Sequence, residues 1–333
     1  MDLRQLRYFT QIVESGSLSK ASRQLYIAQP ALSQQLAKLE SEVGKPLLTR
    51  SSKGVVPTDN GLALYHHARF MLRQLDQALS IARKESGAVQ GMVSVGLPAT
   101  TVSALGLTLV RRIRERYPSI LLNVVEGMSG HLGQMMRMGQ LDLAVLFASD
   151  IAPDATVEPL LEEELFVMVP SHSALVAPRR TSLTIAEAAA LPLILPTSSH
   201  GLRRRIAAEF EQRGLQARIV AEVDSLALLM NCVYHDMAAT IKPMAAIYQE
   251  GERGREWRAI SVSDARMIRR NYLYSQPRER HTAAAAAVAG ELKATALELM
   301  ESGAWTGVRP FTGAEPAREG RANAPRRAAV ALA

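Results

Sequence analysis

Ala28-Gln29-Pro30-Ala31-Leu32-Ser33-Gln34-Gln35-Leu36-Ala37-Lys38-Leu39-Glu40-Ser41-Glu42-Val43 is the stretch on which the reading turns. Pro30 falls where the first turn of a helix tolerates proline, because the missing N–H would have no intrahelical partner there. Leu32, Leu36, Leu39 and Val43 lie within a narrow arc at helical spacing and form a buried face. The opposite face carries Pro30, Ser33, Gln34, Ala37, Lys38 and Ser41: small residues, hydroxyls, an amide and one cation. A surface this slim can enter a DNA major groove, where Gln pairs with the edge of adenine and Ser bonds either base. Gln29 and Gln34 sit in its N-terminal half, the part that touches bases in a helix-turn-helix. A solvated surface helix is the plainer explanation of the same spacing, so the flanks decide.

Upstream, Leu3, Leu6, Phe9, Ile12 and Val13 recur at helical spacing until Gly16. Ser17 or Ser19 can cap a second helix with Ala21 and Leu25 inward, followed by a short break at Tyr26-Ile27-Ala28. Downstream of Gly44, residues 47–57 read as two β-prone runs around Ser51-Ser52-Lys53-Gly54, a small wing. Arg50 and Lys53 on it suit DNA phosphates, which give affinity rather than sequence choice. Thr58 and Asp59 then cap a long helix to about Glu85. Its apolar residues Tyr65, Ala68, Leu72, Leu75, Leu79 and Ala82 follow the alternating 3–4 rhythm of a coiled-coil seam. Residues 1–90 hold too little apolar surface to cover such a stripe, which predicts a homodimer.

Charge supports a polyanionic partner. Residues 1–90 carry 12 basic and 7 acidic side chains, residues 91–303 carry 22 and 23, and residues 304–333 carry 5 and 2. The positive excess sits at the two ends, and in a domain of this kind it points to nucleic acid. The single cysteine, Cys232, excludes an intramolecular disulfide framework and multi-cysteine metal sites. It lies in the apolar helical run Leu226–Val233 and reads as core. The opening residues lack the apolar run of a secretory signal, and the uncharged stretch Ser86–Val110 is broken by glycines and Pro98. The expectation is a cytoplasmic protein with no membrane contact.

From Met92 the texture changes to an α/β pattern. Candidate strands are 92–97, 121–126, 141–147, 165–170, 193–196, 218–223, 238–241 and 258–262, with helices at 102–116, 131–138, 202–213, 226–235 and 281–300. Apolar strands separated by helices indicate mostly parallel sheets covered on both faces, and about 210 residues suit two small lobes. After Gly303 the chain turns rich in Ala, Arg, Gly and Pro, so 304–333 is expected to be a disordered tail.

Hydroxyl residues follow several strands. Thr100, Thr101 and Ser103 come after 92–97, Ser129 after 121–126, and Thr197, Ser198 and Ser199 after 193–196, each group at the expected start of a helix. Free N–H groups and hydroxyls there suit an anionic ligand, although Ser and Thr are also ordinary helix caps. No Gly-x-Ser-x-Gly, His-Glu-x-x-His, Gly-x-Gly-x-x-Gly or phosphate-binding loop occurs. His66 and His67, adjacent on the long helix, cannot converge on one metal. No catalytic residue, metal or cofactor is assigned.

Three sets of residues resemble the signature of LysR-type transcriptional regulators. The first runs Phe9-x-x-Ile12-Val13-Glu14-Ser15-Gly16-Ser17-Leu18 and Ala21-x3-Leu25-x-Ile27 through Leu36-x-x-Leu39-Glu40. The second is Leu47-Leu48-x-Arg50-x-x-Lys53-Gly54-Val55-x-Pro57-Thr58-x-x-Gly61. The third is Gly139–Val145 with Leu160-Leu161-x-Glu163-x-Leu165. The wording is most similar to nitrogen-assimilation control regulators and their sulfur-regulating relatives. The resemblance implies a winged helix-turn-helix over 1–57, a dimerising linker helix over 58–86, and a two-lobed periplasmic-binding-protein-like α/β effector domain over 87–303. Lobe I would be 91–162 plus 265–303 and lobe II 163–264.

By the same resemblance, Gln29, Pro30, Ala31, Ser33, Gln34 and Lys38 face double-stranded DNA and Arg50 holds a phosphate. A small-molecule effector binds between the lobes, dimers pair into homotetramers, and RNA polymerase is a partner at the promoter. One departure stands out: where the family carries Gly-x-Gly, this chain has Asp236-Met237-Ala238. The competing reading is a small-molecule binding protein whose basic N-terminal region only assembles dimers.

Overall fold

The computed structural model describes residues 1–51, 54–83, 89–148, 152, 155–198, 200–277 and 281–312. Helix α1 (Leu3–Ser15) opens on a reciprocal cap: Asp2 accepts the Gln5 N–H, and the Gln5 side chain accepts the Asp2 N–H. Helix α2 (Leu18–Leu25) is capped by the Ser17 hydroxyl and ended by Tyr26 in the left-handed conformation, φ 55. Helix α3 (Gln29–Val43) follows, with Pro30 in its first turn and Gly44 closing it. Phe9, Ile12, Ala21, Leu32, Leu36 and Leu39 form the core these three share. Val43 does not join them as its spacing suggests, because the last turn of α3 runs past that core and leaves it exposed. Burial of each leucine contributes about 1.5–3 kcal/mol relative to exposure.

Strands β1 (Leu48–Ser51) and β2 (Gly54–Pro57) pair antiparallel as the wing. The wing is laid on the end of α1: Val55 N–H donates to the Gly16 carbonyl at 2.9 Å. A Cβ on Gly54 would stand 2.5 Å from that carbonyl oxygen, and its φ of +127 also requires glycine. Helix α4 (Asp59–Arg83) starts from Thr58, whose hydroxyl accepts the Gly61 N–H at 3.0 Å.

The first lobe begins with β3 (Gly91–Leu97), α5 (Ala99–Thr101), a π turn (Val102–Gly106), α6 (Leu107–Arg116), β4 (Ile120–Glu126), α7 (Ser129–Arg137) and β5 (Leu143–Leu146). β3 is parallel to both β4 and β5. The next strand, β6 (Thr156–Pro170), is long and changes lobe midway. The second lobe follows as β7 (Ser182–Leu183), α8 (Ile185–Ala190), β8 (Leu193–Leu195), α9 (Gly201–Glu211), β9 (Ile219–Glu222), α10 (Leu226–Tyr234), β10 (Thr240–Pro243), α11 (Ala245–Tyr248) and β11 (Trp257–Val262). β12 (Ile268–Ser275) returns the chain to the first lobe, which ends in α12 (Ala283–Glu301) and β13 (Val308–Arg309).

β6 ties the two halves together. Residues 156–164 pair antiparallel with β12, whereas 165–170 pair with β10 and β11. Leu161 belongs to the core of Val93, Val95, Leu143, Leu273 and α12, and Leu165 to the core of Leu193, Ile206 and Ile241. A single turn of the pleat in one strand thus spans two separate hydrophobic cores. The sheets are not mostly parallel as the sequence suggests, because the crossing strands β6 and β12 run against each other. β12 escapes a hydropathy reading because Arg269, Arg270 and Asn271 interrupt its apolar pattern.

Two further expectations are corrected. The chain stays packed beyond Gly303: Trp305 is 2% exposed inside the first lobe's core, and Val308–Arg309 pair with Glu162–Glu163. Only residues 313–333 of the expected tail lie outside the described residues. The seam on α4 also divides. Ala68 is fully buried in its own chain, and the Tyr65 hydroxyl donates to Glu14 of α1 at 3.1 Å, so these two serve packing of α4 on α1. Leu72 and Leu75 are half-buried and Leu79 is exposed, while the side chain of Ala82 lies outside those described. Farther along, Phe70 rests against Gly139, the left-handed residue after α7, where a Cβ would be 2.6 Å from the ring. The linker helix therefore touches the first lobe directly.

Trp305→Ala should destabilise the two-lobed domain by about 3–5 kcal/mol, the usual cost of emptying a large aromatic site. Urea unfolding of the full chain followed by circular dichroism checks this. An unchanged transition would show that the residues after α12 contribute nothing to the core.

Candidate functional site

The face of α3 opposite its leucines is open. Gln29, Pro30, Ala31, Gln34, Ala37, Lys38 and Ser41 are exposed and Ser33 is half-buried. The frame around it is built from polar contacts. Ser19 of α2 donates to the Gln29 amide oxygen at 2.8 Å, which orients that side chain at the helix start. Arg50 of the wing donates to the Ser33 hydroxyl at 3.3 Å and brings its cation to the helix edge. Glu40 accepts the N–H groups of Leu47 and Leu48 at 2.7 and 3.2 Å, fastening β1 to the last turns of α3. Gly61 of α4 backs the same loop: a Cβ there would lie 1.8 Å from the Leu47 carbonyl oxygen. Lys53 lies outside the described residues.

A second constellation lies where the lobes meet. Arg269 of β12 is buried, donates to Glu163 at 2.9 Å through Nε, also contacts Glu163 through Nη2, and donates to the Thr100 hydroxyl at 2.9 Å. Asn271 donates to the same Glu163 oxygen at 3.0 Å. The Arg269 guanidinium stacks 3.8 Å from the centre of the Phe147 ring. From the second lobe, Lys242 of β10 and His200 before α9 sit in the field of Arg269 and of Asp224. Lys242 is 5% exposed, and burial followed by Arg269 lowers its ammonium to about 7. Burial, then Lys242 and Arg269, likewise hold the His200 ring down to about 4.

The hydroxyls singled out in the sequence are distributed unevenly over this region. Thr100 is joined to Arg269, while the neighbouring Thr101 is fully buried with no partner for its hydroxyl among the described residues. Ser103 turns back to the Ala99 carbonyl at 3.0 Å inside its own helix. Ser129 is buried and accepts the Phe147 N–H at 3.4 Å. Thr197 donates to Asp224 at 3.0 Å and Ser198 is exposed in a turn. These two do not start a helix, contrary to the expectation from sequence: α9 begins at Gly201, and His200 caps it by accepting the Leu202 N–H at 3.2 Å. Ser199 lies outside the described residues.

Sequence reading missed Lys242, Arg269, Glu163 and Asp224 as members of the cleft. One signal was available: Lys242 interrupts an apolar run, Ala238-Ala239-Thr240-Ile241, immediately before Pro243. Asp236, the departure from the glycine pattern, adopts the left-handed conformation at φ 55 and leaves one carboxylate oxygen buried without a partner among the described residues. Cys232 is half-buried against the core around Leu229 and Met230. Among the described residues, no three His, Cys, Asp or Glu side chains are grouped to hold a metal, and no helix is long and apolar enough to cross a membrane.

Two family models match: the bacterial regulatory helix-turn-helix protein of the lysR family over residues 3–62, and the LysR substrate binding domain over residues 86–297. The chain is 37% identical over 247 residues to the nitrogen assimilation regulatory protein nac of Klebsiella aerogenes, covering 74% of this chain and 79% of that one. An OxyR mutant from Corynebacterium glutamicum superimposes with a TM-score of 0.56 at 26% identity, over 92% of this chain and 96% of that one. A full-length OxyR variant from Pseudomonas aeruginosa gives 0.67 at 19% identity, over 95% and 99%, a likeness of fold.

His200 supplies a test of the cleft geometry. Its folded-state pKa lies below the ordinary histidine value, so the unfolded chain takes up a proton first as pH falls. Stability is therefore lost between about 6.5 and about 4, with the cost complete below that window. Histidine resonances followed by NMR should give one midpoint near 4; a His200 midpoint near 6.5 would mean that the ring is not enclosed.

Proposed function

The chain belongs to the LysR family of DNA-binding transcriptional regulators, and from that premise we propose how its own residues carry the activity. The exposed edge of α3 reads base edges in a major groove, with Gln34 and Gln29 as the amides that pair with bases and Ser33 beside them. Pro30 and Ala31 keep the leading turn slim enough to enter, and Lys38 meets the backbone. Arg50, held at the helix edge by Ser33, and Lys53 on the wing neutralise phosphates. The single observation that carries this reading is the open polar edge of α3 over a fully buried leucine face.

A second copy is needed to place two such edges on one DNA. Leu72, Leu75 and Leu79 of α4 form the part of the stripe not consumed by packing on α1. In this reading they join the dimer, and the effector domains extend it to a tetramer. The cleft between the lobes, with Thr100, Thr101 and Ser129 on one side and Thr197 and Ser198 on the other, receives a small effector. Ser103, bonded to its own helix, frames the first side. A ligand that prefers one lobe angle shifts the population of that angle, and half-site spacing and DNA bending follow. The protein acts in the cytoplasm and performs no chemistry of its own.

DNA binding by the full chain should weaken steeply with salt, as counterion release requires. Affinity for random duplex that does not change with ionic strength would leave the basic N-terminal region as an assembly device only. Gln34→Ala should cost about 1–3 kcal/mol on a selected site and little on random duplex. An equal loss on both would make Gln34 a positioning residue. Leu72→Glu combined with Leu75→Glu should dissociate the dimer, and an unaltered sedimentation coefficient would refute the shortened seam.

A further inference from the structure

Tyr26 combines two features that are unfavourable for the isolated chain. It ends α2 in the left-handed conformation, φ 55 and ψ 40, with its N–H donating back to the Arg23 and Ser22 carbonyls. That conformation crowds a Cβ against the backbone and is ordinarily left to glycine or asparagine. The flanking helices follow the rule: α1 ends at Gly16 with φ 61 and α3 at Gly44 with φ 71. Among the described residues, only Tyr26 and Asp236 have positive φ without being glycine. The phenol ring gives the fold nothing to offset this, because at 95% exposure it packs on nothing in its own chain. The next residue, Ile27, is half-buried against the core of α1, α2 and α3 and so fixes the turn. Ala28, Gln29, Pro30 and Ala31 are exposed, which puts the phenol at the leading end of α3, with Lys20 and Arg23 also exposed on α2. A strained backbone that holds out an unused aromatic beside a binding edge points to a partner that takes the ring up.

We propose that Tyr26 binds the sugar–phosphate backbone at the rim of the groove that α3 enters, its hydroxyl donating to a phosphate oxygen and its ring lying on the adjacent deoxyribose. This rests on the reading of α3 as the DNA-contacting helix and adds a residue of the preceding turn to that site. Three chain steps part Tyr26 from Gln29, at most about 11 Å of extended backbone. A major groove is about 12 Å wide, so from an amide near its centre that reach arrives at the wall, where the phosphates stand. A hydrogen bond to a phosphate is strengthened by the charge on the acceptor, even when the donor is a neutral hydroxyl. Tyrosine is one of the side chains that hold a protein in register on the duplex without reading its sequence. Being neutral, it also releases no counterion, unlike the cation of Arg50 on the wing. The contact of Tyr26 is therefore distinct from the others: it adds affinity that depends on neither base sequence nor counterion release.

Fluorescence anisotropy of the full chain on labelled duplexes tests this, with a site selected from a random pool and a random duplex each measured over a salt series. Tyr26→Phe, which removes only the hydroxyl, should weaken binding to both duplexes by the same factor, about threefold to tenfold. Its slope of log affinity against log salt should equal that of the parent chain, whereas Arg50→Gln should lower the slope by about one. Tyr26→Asn, which suits the left-handed backbone, should bind at least as weakly as Tyr26→Phe while melting at or above the parent temperature. That pairing of weaker binding with undiminished stability separates a DNA contact from a role in folding. Unchanged affinity of Tyr26→Phe overturns the proposal and leaves α3 as the reading helix. So does a loss confined to the selected site, a shallower salt slope in Tyr26→Phe, or a lower melting temperature in Tyr26→Asn. Failure of the parent chain to bind either duplex at low salt overturns this proposal and the DNA-contacting role of α3 together.

Discussion

Two consecutive carboxylates on one strand hold the effector domain's crossing point. Glu162 and Glu163 are both buried, and because successive strand residues point to opposite faces they serve opposite sides of β6. Glu163 gathers Arg269 and Asn271 from the returning strand. Glu162 gathers Arg266 at 3.4 Å, Arg270 at 3.3 Å, Arg309 at 3.0 Å and the Thr312 hydroxyl at 3.0 Å. Burial pushes the Glu162 carboxyl up, but the hydrogen bonds from Arg309, Thr312 and Arg270 outweigh it and hold it below its ordinary value. For Arg269 and Glu163, buried on both sides, removing one partner typically costs about 3–5 kcal/mol because the other charge is left stranded. The chain after α12 joins this crossing through Arg309 and Thr312.

The DNA-binding unit depends on a different economy. It has few residues, so each contact serves two elements. Glu40 caps no helix; it accepts the backbone N–H groups of Leu47 and of Leu48, at the start of β1, and fixes the wing. Gly16 ends α1 and its carbonyl receives the wing's Val55. Gly61 lets α4 press directly on the loop before β1. The exposed polar edge of α3 takes little part in this packing, apart from Ser19 and Arg50, which orient Gln29 and Ser33.

Much of this was legible in the sequence, and the limits have physical causes. Periodicity found α1, α2, α3 and α4 because each has one buried face, and Gly16, Ser17, Pro30 and Gly44 mark their ends. The parallel strands β3, β4, β5, β8 and β9 were visible as apolar runs, whereas the two-residue β7 was too short to read. β12 was not, since its buried Arg269 and Asn271 look like surface residues until Glu163, far earlier in the chain, is placed beside them. Trp305 was hidden by the composition of the segment around it. The hydroxyls after strands were legible in the sequence, but only tertiary structure shows that Thr100 is already bonded to Arg269. A heptad rhythm cannot say whether a partner helix comes from the same chain, and α1 takes Tyr65 and Ala68 first.

The contact between Phe70 and Gly139 has a mechanical meaning. The ring fills the space a side chain would need, so the linker rod and the first lobe cannot slide past each other without one of them yielding. Any reorientation of that lobe would have to carry the rod with it or break this contact. In a pair of chains the two N-terminal units would then be coupled to their lobes like the arms of a caliper to its screw.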